Sequence, residues 1–187
     1  VTLEAYGGRN GQPSRTMPRN AFNEPNAASL ATAGGMTTNI YAGGIYELAD
    51  DEALIVELHQ PIEPQYIGFH LGNLWGESLD FANYQSSLNA FQAHRDPDNV
   101  LRYVISQRDP GVANWVDTTG HREGYMTVRW AYSNKPKDNW PWATATRVPF
   151  AAIDGHLPVA TVRATPAQRR AAIAVRQEHV QRRYRQH

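Results

Sequence analysis

The sequence predicts a mainly β protein: an antiparallel, jelly-roll-like β-sandwich with an extended N-terminal arm and a C-terminal Arg-rich α-helix. Three observations carry this. Short runs of β-forming residues, one of them alternating cleanly with period two, recur along the middle of the chain. Clusters of Gly, Pro, Asn and Asp separate those runs. A long helix pattern with a start signal occurs once, near the end. Strands separated by turns with a lone terminal helix point to sheet-on-sheet packing rather than to a parallel α/β sheet. With 187 residues, the chain has the length of one domain and can bury a core without staples.

The elements follow in order. Residues 1–35 carry Gly7-Gly8, Gly11, Pro13, Pro18, Pro25 and Gly34-Gly35, too many breakers for a helix or a central strand, so this stretch reads as an extended arm that needs an external surface. Residues 36–150 hold the sandwich. Thr37 to Leu48 is a strand whose Gly43-Gly44 pair reads as a bulge. Glu52 to His59 and Gln65 to Leu71 are two strands, joined as a hairpin through Gln60-Pro61-Ile62-Glu63-Pro64. Leu54, Ile55, Val56 and Leu58 are apolar on both faces, as in a strand covered on both sides. Gly72-Asn73, Gly76, Asp96-Pro97-Asp98-Asn99 and Asp109-Pro110-Gly111 are turns, and Asn99 to Ser106 is a strand. Gly124 to Tyr132 alternates, with Met126, Val128 and Trp130 on one face and Thr127 and Arg129 on the other. Residues 133–145 read as a Pro/Trp-rich loop. Residues 151–187 form a linker and a helix that opens on the capping box Thr165-Pro166-Ala167-Gln168 and runs to about Arg185.

Composition excludes some chemistry. There is no Cys, which removes disulfides, thiolate metal sites and Cys nucleophiles. Acidic and basic residues balance at 18 each, which argues against global attraction to nucleic acid. No stretch approaches the ~18 apolar residues of a membrane span. The compartment is left open, with the cytoplasm slightly favoured. Val1 in place of Met reads as the start of a processed or excised piece of something longer. Charge is uneven, however: Asp50, Asp51, Glu52, Glu57 and Glu63 make the middle acidic, while Arg169, Arg170, Arg176, Arg182, Arg183 and Arg185 face a lone acid, Glu178, in the tail. That basic helix is expected to dock on an acidic surface of its own domain, of a neighbouring subunit or of an upstream domain.

The segment from Ala53 to Tyr132, with its LGNLWGESLD, SSLN and RDPGVANWVDTTGH stretches, resembles the C-terminal domain of the bacterial domain-of-unknown-function family 1214. Gln65 to Leu71 looks like that family's first strand, Asn114-Trp115 like its turn tryptophan, and Tyr125 to Tyr132 like its closing strand. Val116-Asp117-Thr118 departs from the family's usual Leu-Pro-Ala, and the Arg-rich helix is not typical of it. The resemblance implies a jelly-roll-like sandwich, often preceded by another domain, and transfers no catalytic residue.

Several residues are candidates for a site. Glu77 and Asp80 are two carboxylates close together in a Gly-flanked loop, and such pairs divide acid and base roles when their environments separate their pKa values. His121 has acidic neighbours and could complete a carboxylate/His site; against this, each of the three has a sufficient local explanation as a turn or solvated residue. Trp75, Trp115, Trp140 and Trp142 are candidates for stacking on a glycan or a small organic ligand, with Trp115 also read as a plug at the end of the sandwich and Trp140 and Trp142 as a cover for a sheet edge. His59 and His70 sit too far apart in one hairpin to share a metal, so no metal site and no cofactor are expected. The function read from these residues is a binding or assembly module, self-associating or resting on an upstream domain, for a glycan or small organic ligand. The alternative is a hydrolase-type enzyme using the carboxylate/His site.

Overall fold

The computed structural model describes residues 17–27 and 36–185. The strands are β1 (Asn26–Ala27), β2 (Asn39–Glu47), β3 (Glu52–His59), β4 (Tyr66–Gly72), β5 (Ser87–Asn89), β6 (Leu101–Ser106), β7 (Trp115–Asp117), β8 (Glu123–Ala131) and β9 (Trp142–Pro149). A 3-10 helix, Phe150–His156, and the helix α1, Pro166–Tyr184, complete the chain. The strands form a five-stranded sheet in the order β1-β2-β8-β4-β5 and a four-stranded sheet in the order β7-β6-β3-β9. Every pairing is antiparallel except β6 with β7. The protein is therefore mainly β, a sandwich of two sheets with one long terminal helix.

The alternation in the sequence decides which side chains meet between the sheets. Ile40, Ala42 and Tyr46 of β2, Ile67, Phe69 and Leu71 of β4, and Met126, Val128 and Trp130 of β8 pack against Leu54, Val56 and Leu58 of β3 and Leu101, Tyr103 and Ile105 of β6. β3 is apolar on both faces because it is central and doubly covered. Ala53 and Ile55 point away from the main core into a second cluster with Val104, Val112, Trp115, Val148, Ile153 and Leu157, roofed by the 3-10 helix.

Three expectations are corrected. The segment after β3 is not a hairpin turn: β3 pairs with β6 and β9, β4 with β8 and β5, so residues 60–65 cross from one sheet to the other. Both strands have an apolar stripe to bury, and facing each other across the core satisfies both stripes. Gly43-Gly44 makes no bulge, since β2 and β8 stay in unbroken register from Asn39↔Ala131 to Glu47↔Glu123. The pair serves close approach instead: a Cβ on Gly44 would collide with the carbonyl oxygen of Ala21. Finally, the Pro/Trp-rich loop ends at Trp142, where β9 begins as an edge strand. Its inward residues are only Ala143 and Ala145, too small to write a strong apolar alternation.

Both ends, where described, find their surface on this sandwich. The arm runs along the free edge of β2: Asn20 donates to Ile45 O (2.7 Å), Ile45 donates to Pro18 O (2.9 Å) and Asn23 donates to Gly43 O (3.0 Å). Phe22 packs against the main core, so the arm both covers an open sheet edge and fills space beside it. The rest of residues 1–35 lies outside the described residues.

At the other end, α1 starts on the expected capping box, with Gln168 N donating to Thr165 Oγ1 and Thr165 N to Gln168 Oε1. None of its 19 residues is buried, and it is tied down by polar side chains. Arg169 donates to Asp109 (3.0 Å) and to the carbonyls of Val112 (2.7 Å) and Ala113 (3.2 Å). Arg176 donates to the carbonyls of Ser87 (2.5 Å) and Phe81 (3.4 Å), and Gln177 donates to Asn83 Oδ1 (2.9 Å). Among the described residues, no helix is long and apolar enough to cross a membrane.

Candidate binding groove

Because Ile67, Phe69 and Leu71 of β4 point into the core, Tyr66, Gly68 and His70 must line the outer face of the five-stranded sheet. Gly68 has a reason to lack a side chain. A Cβ there would lie 2.7 Å from the Tyr66 hydroxyl oxygen and 2.8 Å from Cε1, so the phenol ring lies down over the glycine. Arg129, opposite Gly68 on β8, sits with its guanidinium carbon 5.0 Å from the centre of that ring. On the other side of β4, Asn89 and Ser87 of β5 lie opposite Gly68 and His70.

The second half of α1 passes beside this edge. Arg176, His179, Val180 and Arg183 share one side of the helix, following the i, i+3, i+4, i+7 spacing. Between that side and the sheet edge runs an open groove of about 530 Å³, completed by Tyr66, Phe81, Ser87, Asn89 and Gln92. A smaller hollow of about 230 Å³ shares Tyr66, Ser87, Asn89 and Gln92 with it and reaches His70. Burial, with Arg129 adding to it, holds the His70 imidazole below its ordinary pKa, so at neutral pH the ring is uncharged. It stands edge-on to Tyr125, with Nε2 3.4 Å from the phenol oxygen.

The residues singled out in the sequence lie elsewhere. Glu77 is exposed and accepts from Asn73 Nδ2 (2.7 Å). Asp80 caps its own turn. Its carboxylate accepts from the Asn83 side chain (2.7 Å) and the Ala82 and Asn83 amides (3.0 Å each), bonds that hold its pKa below the usual carboxylate value. His121 is exposed in the turn before β8, where its amide donates to Thr118 O (2.9 Å) and its carbonyl accepts from Gln107 (2.7 Å). None of the three bonds to another, and they do not assemble a site.

The tryptophans are also dispersed. Trp75 is 73% exposed in the loop after β4. Trp115 is buried, donates to Ser106 O (3.2 Å) and has the Arg169 guanidinium 5.1 Å from its ring centre, so it offers no open face. Trp140 packs on the core and donates to Pro136 O (2.9 Å), while Trp142 stacks on His59 at 4.8 Å. They form no common platform. His59 and His70 stand in different sheets, and among the described residues no group of three or more His, Asp or Glu is gathered as a metal site.

The groove residues escaped the sequence reading for a specific reason. The outer face of β4 and the stripe 176, 179, 180, 183 on α1 are both readable as periodicities, but nothing in the sequence says that α1 lies against β5. That placement comes from Arg176 reaching the Ser87 and Phe81 carbonyls.

Fold and groove together define a two-sheet β-sandwich with a cleft on its outer face. No family model and no curated protein matches the chain. Among solved structures it is similar to an uncharacterised protein from Burkholderia cenocepacia, with a TM-score of 0.61 and 29% identity over 72% of this chain. The match takes in 36% of that protein, so the chain spans little more than a third of its length.

Proposed function

We propose that the chain is a β-sandwich binding module that takes a small organic ligand in the groove between α1 and β4–β5. The observation that carries this reading is the convergence there of two ring side chains, Tyr66 and Phe81, with polar side chains from three separate segments, in an open space large enough for a small molecule. Glu77, Asp80 and His121, on which the hydrolase alternative rests, each bond to other groups, and none lines this groove.

Amide chemical-shift mapping of the full chain with a set of small aromatic and sugar fragments tests the reading. The expected shifts cluster at Tyr66, Ser87, Asn89, His179 and Arg183. Shifts centred instead on Trp75 or Trp142, or none for any fragment, would count against it.

A further inference from the structure

We infer that the groove selects an organic anion, a carboxylate or phosphate monoester on an apolar or aromatic body; this rests on the binding-module reading above. Charge is the first argument. Nine residues line the groove, two are arginines and one is histidine, and none is acidic. The inward-set arginines elsewhere have carboxylates: Arg102 meets Glu57, Asp96 and Asp98, and Arg169 meets Asp109. Arg176 has only the carbonyls of Ser87 and Phe81. Its partial burial, and then the positive charge of Arg169, both lower its pKa, and among the described residues no carboxylate pairs with it. Arg183 makes no ion pair among the described residues. An anion arriving between Arg176 and Arg183 supplies what the other inward arginines already have.

The second argument is the direction of the neutral amides. Asn89 Oδ1 accepts from the Phe91 and Gln92 amides (3.0 Å each), and Gln92 Oε1 accepts from the Asn89 amide (3.0 Å). Both oxygens are therefore committed to backbone N–H groups. That fixes which end of each amide is which and leaves two NH2 groups without an acceptor among the described residues. Donors without acceptors, beside guanidiniums without carboxylates, recognise anionic oxygens. Phe81, Val180 and Tyr66, which line the same space, provide the contact for an apolar body.

The test compares one aromatic body with three head groups on the full chain: 2-naphthoate, 2-naphthyl phosphate and the uncharged 2-naphthamide, by calorimetry at low and high salt. Both anions are expected to bind at least ~10-fold more tightly than the amide at low salt and to lose most of that advantage at high salt. Which anion binds better separates a carboxylate from a phosphate ligand. Gln92→Glu keeps the oxygen that receives the Asn89 amide but replaces the donor by a negative charge. It should abolish anion binding, and Arg183→Gln should weaken the anions several-fold more than the amide. Equal affinity for naphthoate and naphthamide overturns the anion inference and leaves the module reading standing. If none of the three binds, and no groove amide shifts with any fragment, the module reading fails and the inference falls with it.

Discussion

The guanidinium of Arg169 lies 5.1 Å from the centre of the Trp115 ring and donates to both carboxylate oxygens of Asp109. One residue in the first turn of α1 thus covers the aromatic plug of the second apolar cluster and ties the helix to the Asp109-Pro110-Gly111 turn. A helix of this length with no buried side chain is marginal by itself. Arg169→Ala should therefore release α1 without unfolding the sandwich, at a local cost of about 1–3 kcal/mol. Hydrogen exchange reads this directly: the amides of α1 after Pro166 lose protection while those of β2, β3 and β8 keep it. Unchanged protection along α1 would remove the argument.

Trp115 and Trp75 make a matched pair for stability. Trp115 is 8% exposed within a packed cluster and Trp75 is 73% exposed. Trp115→Ala should cost ~3–5 kcal/mol, whereas Trp75→Ala should stay within ~0.5 kcal/mol. Urea titration of both variants checks the contrast, and equal midpoints would contradict it.

Arg102 holds together three carboxylates, at 2.7 Å from Glu57, 2.9 Å from Asp96 and 2.7 Å from Asp98. Its hydrogen bonds keep the Asp98 carboxyl below the usual carboxylate value. A depressed folded-state pKa stabilises the protein above the unfolded value of ~4, and that stabilisation is lost as pH falls through the folded value. Asp98 is about half exposed, so its share is small after solvent screening. Arg102→Met should cost about 3–5 kcal/mol at neutral pH, because it takes the partner from the nearly buried Asp96, and somewhat less at pH 3, below the ordinary carboxylate value, where the Asp98 share begins to be lost. Urea midpoints at the two pH values decide it, and the same loss at both would show that the cost is packing alone.

Gly44 admits the carbonyl of Ala21 to the edge of the sandwich. Gly44→Val should expel the arm, with Phe22 leaving the core, for a loss of about 1–3 kcal/mol. Because the backbone on either side of Arg19 then loses its hydrogen bonds to Ile45, limited trypsin digestion should cut after Arg19 much faster in the variant than in the wild type. Equal cleavage in both would mean that the arm is not held by this fit.

Much of the fold was legible because burial writes itself into period two. β2, β3, β4, β6 and β8 occur within a residue or two of where alternation and turn residues put them, and Thr165-Pro166-Ala167-Gln168 marked the start of α1. The strands that were missed are short or small-sided. β5 and β7 have three residues each, and β9 faces the core with alanines, so none leaves a strong apolar pattern. The pairing of β3 with β6 and β9 was out of reach for another reason: a hairpin and a crossover demand the same apolar stripes and differ only in which partner faces them.

The candidate site divides the same way. By itself the sequence determined the two-sheet class, the inward faces of its longer strands, the helix and its cap, and the absence of any cysteine chemistry, since each of these is written in local composition and spacing. Only the tertiary structure decided that α1 crosses beside β5, that Trp115 is roofed by Arg169, and that Tyr66, Asn89, Gln92, Arg176 and Arg183 share one space. These residues span more than a hundred positions in the chain and meet through hydrogen bonds from arginines to backbone carbonyls. Every residue offers such a carbonyl, so the sequence carries no mark of which ones are used.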